Sequence, residues 1–425
     1  MMMSEISRIL VVANPMAPSG VRKHVLNVLK LLSRYGIEVL LYIPIITIQQ
    51  YSKSEILPVL KELEQAKIIF IQDNIYDLIE KESNSLTQFK YFIKSHFYNP
   101  NIDLKYLKKL SINNYKNINL IYDMHENIDY LKVSYSLAKL FKTFIVKLFH
   151  DEPFRFSLGR GYRKFMGVEG FIYDLSSWFF YTIDRMFYKK VLSEGILRGV
   201  IAVSEAPLYL SRFREFSKEY KIKIQVLKPA NAYDSNIEKY ICNYKEDYAV
   251  YFARLVPQKG IREIPKIAKL LKDYKILVFG KFFRESEKRL FLKSIPKNVE
   301  YMGFVSEEEL YKYVSKSKVL LYPSHQDGFS LVVLESLALR TPVVAYDIPA
   351  INSVYGNLPP VKIVKEFDIP NFSRTSLKFL NMSDEEIFSL FENPITREFL
   401  ELHSSWEKVA EVTLSFLNDI FRDKK

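Results

Sequence analysis

The chain has 425 residues, 61 Lys and Arg against 49 Asp and Glu, a formal net charge of +12, and 48% hydrophobic residues. That length and apolar content exclude a disordered chain and predict two domains of about 200 residues each. A single cysteine, Cys242, excludes an intrachain disulfide framework and a cysteine-rich zinc site. The positive excess admits anionic ligands, anionic lipid or nucleic acid without choosing among them.

No apolar run approaches the roughly 18–20 residues that span a bilayer. The opening MMMSEISRILVVANP has no basic leader, and its apolar run is too short for a signal peptide. The expectation is a cytoplasmic protein, soluble or held at the inner face of the cell membrane.

RILVVANP predicts a strand over Ile9 to Ala13, followed by a Pro/Ser/Gly loop through Gly20. VRKHVLNVLKLLSRYG then places Val21, Val25, Val28, Leu29 and Leu32 at helical spacing, with Gly36 as a stop. IEVLLYIP predicts the next strand, completing the βαβ unit of a parallel sheet. AKIIFIQ, INLIYDMH and GVIAVS are further strand candidates. A second series runs through DYAVYFARL, YKILVFG, VEYMGF, KVLLYPS and TPVVAYD. Two βα series, each with its own first strand, predict an α/β chain of two doubly wound domains, joined near KPANAYDSNIEKYICNYKED. The expected boundaries are 1–227, 228–400 and a closing helix over 401–425.

The interval 132–198 departs from this alternation. LAKLFKTFIVKLFH places Leu137, Leu140, Phe141, Phe144, Ile145 and Leu148 on one face of a helix, with Lys139, Lys142 and Lys147 mostly elsewhere. FIYDLSSWFFYTIDRMFYKK adds aromatic and basic residues. A basic amphipathic helix of this kind can lie on a membrane; it can equally pack its apolar face on its own domain.

YFARLVPQKG supplies Arg254 and Lys259 just after a predicted strand, where parallel sheets bind ligands. Arg can fork onto two phosphate oxygens and Lys acts as a movable charge, although a solvated surface would accommodate both. In YPSHQDGFSLVVLESLALRTPVVAYD a strand, a loop and an apolar helix succeed one another. Gly328 would let a ligand approach the backbone. The amides of Phe329, Ser330 and Leu331 would face an anion at the helix N-terminus. Asp327 could accept from sugar hydroxyls or cap the helix. Glu335 could hold two vicinal hydroxyls or pair with a base, and burying it among LVVL and SLAL without a polar partner would be costly. No Asp-x-Asp or histidine-pair metal set is apparent.

Asp327-Gly328-Phe329-Ser330, then Glu335, then TPVVAYD, resembles the glutamate-x7-glutamate signature of family 4 retaining glycosyltransferases, whose pattern reads Glu-Gly-Phe-Gly, Leu-Glu-Ala and Gly-x-Pro-Val-Val-Ala. Arg254 and Lys259 resemble, in order, the arginine and lysine of that family's Gly-Arg-Leu…Lys-Gly element, which stands here as Ala-Arg-Leu-x3-Lys-Gly. GVIAVSEAPLYL resembles its strand–serine–helix element, and SSWEKVAEV its closing helix, which returns to the N-terminal domain. Departures from the pattern include Asp327 for glutamate, Pro-Ser-Gly for a double glycine in the first loop, Arg340 for a glycine after the signature helix, and FGKFF for a glycine-rich loop.

The resemblance implies a GT-B fold, two Rossmann-like domains with an interdomain cleft, and retaining, metal-independent, hexosyl-type transfer from a nucleotide-diphosphate sugar to a hydroxyl acceptor. The acceptor would be a glycan, a lipid-linked molecule or a small molecule, and neither a cofactor nor nucleic acid takes part. Arg254 and Lys259 would bind the diphosphate, Asp327 and the following amides the sugar, and Glu335 the ribose. Gly20 and Gly280 would line the donor site, and His125 in YDMHEN would contact the sugar, although a lone histidine is also commonly structural. Two other readings stand beside this one: a non-catalytic nucleotide-sugar-binding protein of the same fold, and a basic nucleic-acid-binding protein.

Overall fold

The computed structural model describes residues 5–423 except 18–19, 73, 84–87, 108–116, 155–163 and 165. The chain divides into two compact units. The first holds the described residues up to 154, Leu175–Ala230 and the chain from Trp406 onward; the second holds Asn231–Ser405 and the described residues between 164 and 174. Pro18 and Ser19 of the expected first loop lie outside the described residues.

In the first unit, β1 (Arg8–Val12), β2 (Glu38–Tyr42), β3 (Ile69–Phe70), β4 (Leu120–Asp123), β5 (Ile145–Phe149), β6 (Leu197–Ala202) and β7 (Lys223–Val226) form one parallel sheet in the order β3-β2-β1-β4-β5-β6-β7. The central strands carry near-continuous apolar runs because helices cover both faces of such a sheet. The helix Trp406–Arg422 belongs to this unit and buries Val409, Ala410, Thr413, Leu414 and Leu417. It lies so close to β6 that a Cβ on Gly199 would sit 3.1 Å from the Phe416 ring.

The second unit repeats the plan. Here β8 (Glu246–Phe252), β9 (Lys275–Phe279), β10 (Val299–Gly303), β11 (Ser317–Tyr322), β12 (Val343–Tyr346) and β13 (Val361–Val364) pair in parallel in the order β10-β9-β8-β11-β12-β13. In each sheet the direction of winding reverses beside the first strand, between β1 and β4 and between β8 and β11. In open parallel sheets the crevice outside the carboxyl ends of those two strands is where ligands bind. The observed architecture is thus two Rossmann-like α/β units.

The structure corrects the expected helix over Leu137 to Leu148. A helix does run from Ile128 to Phe141, but it stops at Lys142, whose φ of +52° and backbone N–H donating to Ala138 O form a left-handed cap. Thr143 and the β-branched Ile145 and Val146 then favour extended backbone, and Ile145–Phe149 becomes β5, buried between β4 and β6. Lys147 therefore belongs to no basic helix face. Its side chain is fully buried, with Nζ 2.6 Å from Asp123 Oδ2 on the neighbouring strand. The interval 132–198 consequently contributes a strand to the sheet. Three strands escaped the sequence reading: β5, the edge strand β7, and β13.

Candidate active site

Arg254, Lys259 and the loop after β11 all lie beyond the carboxyl ends of β8 and β11, where the second sheet reverses. Two glycines make that crowding feasible. Gly260 has φ +76°, and a Cβ there would lie 1.9 Å from Pro323 O; Gly280, after β9, has φ +136°, and its Cβ would lie 2.2 Å from Ala253 O. Because Gly260 lets the two loops touch backbone to backbone, the His325 amide donates to Gln258 O at 2.9 Å. Lys259 is thereby carried to Asp327, with Nζ 2.6 Å from Oδ1 and 2.8 Å from Gln326 O. Tyr251 OH donates to Lys259 O at 2.9 Å from below.

Asp327 is more tightly held than the expected role of a sugar ligand implies. Besides Lys259 it accepts from Tyr322 OH at 2.6 Å and from Ser324 Oγ at 3.0 Å, both on Oδ2. Burial, followed by the neighbouring Asp327 charge, pushes the Tyr322 phenol well above its ordinary value, so it remains a donor. In this state the carboxylate organises its own loop. Arg254 is exposed, and its guanidinium makes no ion pair among the described residues.

The helix Leu331–Ala338 opens at Ser330, which has φ +73° and gives no side-chain cap. The resembled pattern has glycine here, which adopts this left-handed conformation without strain. Arg340, the other residue in a glycine position, also has a positive φ, +56°. The loop is held open by burial of the Phe329 ring against Tyr355 and by Tyr355 OH donating to Ser330 O at 2.8 Å. Gly328 sits at the tip of this loop, and the Phe329, Ser330 and Leu331 amides lie at the helix start. Glu335, one turn further, is buried, with Tyr311 OH 3.4 Å from Oε1.

Sequence reasoning missed Gly260, Tyr322, Ser324 and a charged cluster behind the loop. The Lys-Gly pair in VPQKG was the available signal for Gly260. The His325 side chain is fully buried, with Nδ1 2.6 Å from Glu366 Oε1 and Nε2 3.4 Å from Glu263 Oε2. Its ring stacks on Phe367. Burial disfavours the charged ring, but the two carboxylates outweigh it and raise the pKa. The protonated ring therefore stabilises the fold fully below the ordinary histidine value of about 6.5, and that contribution fades as pH rises through the raised value. We expect the melting temperature of the wild type to exceed that of His325→Gln most at mildly acid pH, with the gap narrowing above neutrality. A gap that is flat or widens with pH would remove the charged histidine from the account.

In the first unit His125 follows β4 directly, beside the reversal between β1 and β4. It is nearly buried, stacks on Tyr130 with ring centroids 4.5 Å apart, and receives the Asn127 amide at 3.5 Å on Nδ1. Asp123 Oδ1 accepts from its backbone amide at 3.2 Å. Gly20 is the first residue of the helix Gly20–Arg34 and not a loop residue.

Residues 233–386 match the family model for glycosyl transferases group 1. The chain is 24% identical over 188 residues to a processive diacylglycerol alpha-glucosyltransferase of Acholeplasma laidlawii, covering 40% of this chain and 55% of that one. It is 26% identical over 241 residues to the capsular polysaccharide biosynthesis glycosyltransferase CapM of Staphylococcus aureus, covering 52% and 62%. Across the curated relatives considered, the matched stretch spans from 26% to 62% of the relative's own length. The sucrose-phosphate synthase structure from Thermosynechococcus elongatus superposes with a TM-score of 0.70 at 15% identity, over 98% of this chain and 100% of that one, which shows the shared GT-B type of fold. With that fold, the matched segment and the signature loop in place, the second unit carries the chain's similarity to the glycosyl transferases group 1 family.

Proposed function

We propose that the protein is a glycosyltransferase that takes a sugar from a nucleoside diphosphate donor and joins it to a hydroxyl acceptor with retention at the anomeric carbon. The observation that carries this reading is the convergence of Arg254, Lys259, Asp327 and the Phe329–Leu331 amides on the reversal point of one sheet. The two cations and the helix N-terminus would take up charge as the diphosphate leaves, which is where fixed electrostatics lowers a barrier most. They take the place that a divalent metal has in other transferases. In the inherited mechanism the sugar–phosphate bond breaks first, the acceptor oxygen attacks on the same face, and its proton passes to the leaving phosphate oxygen. The resemblance assigns His125 a contact with the sugar.

Glu335 would hold the ribose hydroxyls, and that assignment supplies the test. A thermal-shift and calorimetric screen of UDP, GDP and ADP sugars should find one nucleotide class that stabilises the wild type. Glu335→Ala should weaken that binding about tenfold to a hundredfold, the loss of one or two charge-assisted hydrogen bonds. Equal binding by wild type and variant would refute the ribose assignment. The partners that Asp327 already has within its loop favour one further reading, a nucleotide-sugar binder that does not transfer. Release of nucleoside diphosphate from the bound donor, in the presence of acceptor or water, separates the two. The names of the relatives, one acting on diacylglycerol and one in capsular polysaccharide synthesis, support a lipid-linked or glycan acceptor.

A further inference from the structure

The apolar surface expected over Leu137 to Leu148 is largely buried, yet the first unit exposes another. Along the helix Val168–Ser193, Leu175, Phe179 and Met186 are 55%, 56% and 68% exposed. At about 100° per residue they fall within an arc of about 40°. Phe97, 61% exposed and directly after the helix Gln88–His96, extends the patch, its ring meeting Phe180 edge to face. Large exposed apolar side chains in a contiguous line mark an interaction surface.

The charges around the line decide what kind. Between Leu175 and Lys190 the basic residues are Arg185, Lys189 and Lys190, and Lys90 and Lys94 are exposed on the helix that ends just before Phe97. The one acid in that span, Asp184, is turned inward and buried against His96, with 2.9 Å from Oδ2 to Nδ1. This stretch of the helix thus shows solvent aromatic and aliphatic side chains framed by cations, with the one carboxylate between Leu175 and Lys190 turned to the interior. No helix among the described residues is long and apolar enough to cross a membrane.

We propose that this face lies on an anionic lipid bilayer, with Leu175, Phe179, Met186 and Phe97 entering the headgroup–acyl boundary and the flanking lysines and Arg185 meeting lipid phosphates. The surface operates independently of the donor site. Lys147 and the stripe beginning at Leu137 take no part in it.

Flotation of the full chain with phosphatidylcholine vesicles, with and without phosphatidylglycerol, tests the proposal. The wild type should float with the anionic vesicles at low salt and less at high salt. Leu175→Ser/Phe179→Ser/Met186→Ser should reduce the bound fraction at least about tenfold, since burial of even one such side chain accounts for that much. Phe179→Ser alone should give a smaller loss with the fold intact by circular dichroism, and Lys94→Glu/Lys189→Glu should abolish the preference for anionic vesicles. Stabilisation by donor nucleotide should be unchanged in all of these, separating this surface from the donor reading. No flotation of the wild type, equal flotation of the triple variant, or pairing of two copies through this face in sedimentation without vesicle binding would each overturn it.

Discussion

Lys259→Met is expected to slow transfer by about two to three orders of magnitude, the usual effect of removing one fixed group that stabilises transition-state charge. It should also destabilise the second unit by about 3 kcal/mol. The two effects have separate origins. Slower transfer follows from losing an ammonium that can move from Asp327 to a departing phosphate. The stability loss follows from the Asp327 carboxylate, which is left with Tyr322 and Ser324 in a setting where the Lys259 and Asp327 side chains are 12% and 10% exposed. A charge stranded in such a place costs more than the pair contributes. Met is chosen because it keeps the stem and removes the charge. Lys259→Met/Asp327→Asn should therefore recover most of the stability in urea unfolding while remaining as slow as Lys259→Met in initial-rate assays. A double variant that recovered activity as well would show that Lys259 serves only to neutralise Asp327.

Gly260→Ala should lower stability by more than about 3 kcal/mol and abolish donor binding. Two causes add. An L-residue at φ +76° carries about 1–2 kcal/mol of strain, and the new methyl would overlap Pro323 O at 1.9 Å, a backbone atom that cannot rotate away. The loops would have to part, taking Lys259 from Asp327. Gly303→Ala provides the control: its φ is +78°, yet nothing lies within 4 Å of the added Cβ. That variant should lose only the strain, about 1–2 kcal/mol. If chemical denaturation gave the two variants equal losses, close approach of the loops would not be what the glycine provides.

The βα alternation was legible because a sheet covered on both faces demands uninterrupted apolar runs, and INLIYDMH or KVLLYPS can be little else. β5 was not legible: in LAKLFKTFIVKLFH the apolar residues fit a helical period across a junction that only the left-handed Lys142 marks. A lysine in the middle of that run also argued for an exposed face, until the neighbouring strand supplied Asp123. Short edge strands such as β7 are similarly ambiguous, since half their surface is open to solvent.

At the site, the identity of the charged groups was written in the chain, but their state was not. Arg254, Lys259, Asp327 and Glu335 could be singled out because carboxylates and cations next to apolar strands and helices carry a desolvation cost that calls for a reason. That Lys259 and Asp327 hold each other, that Tyr322 and Ser324 complete the carboxylate, and that His325 sits between Glu263 and Glu366 depended on the order of strands β8 and β11 in the sheet. Linear sequence determines which side chains can ionise and where the backbone can turn. Which opposite charges meet is decided by strand order, because electrostatic pairing needs separations of a few ångströms between residues that stand dozens of positions apart.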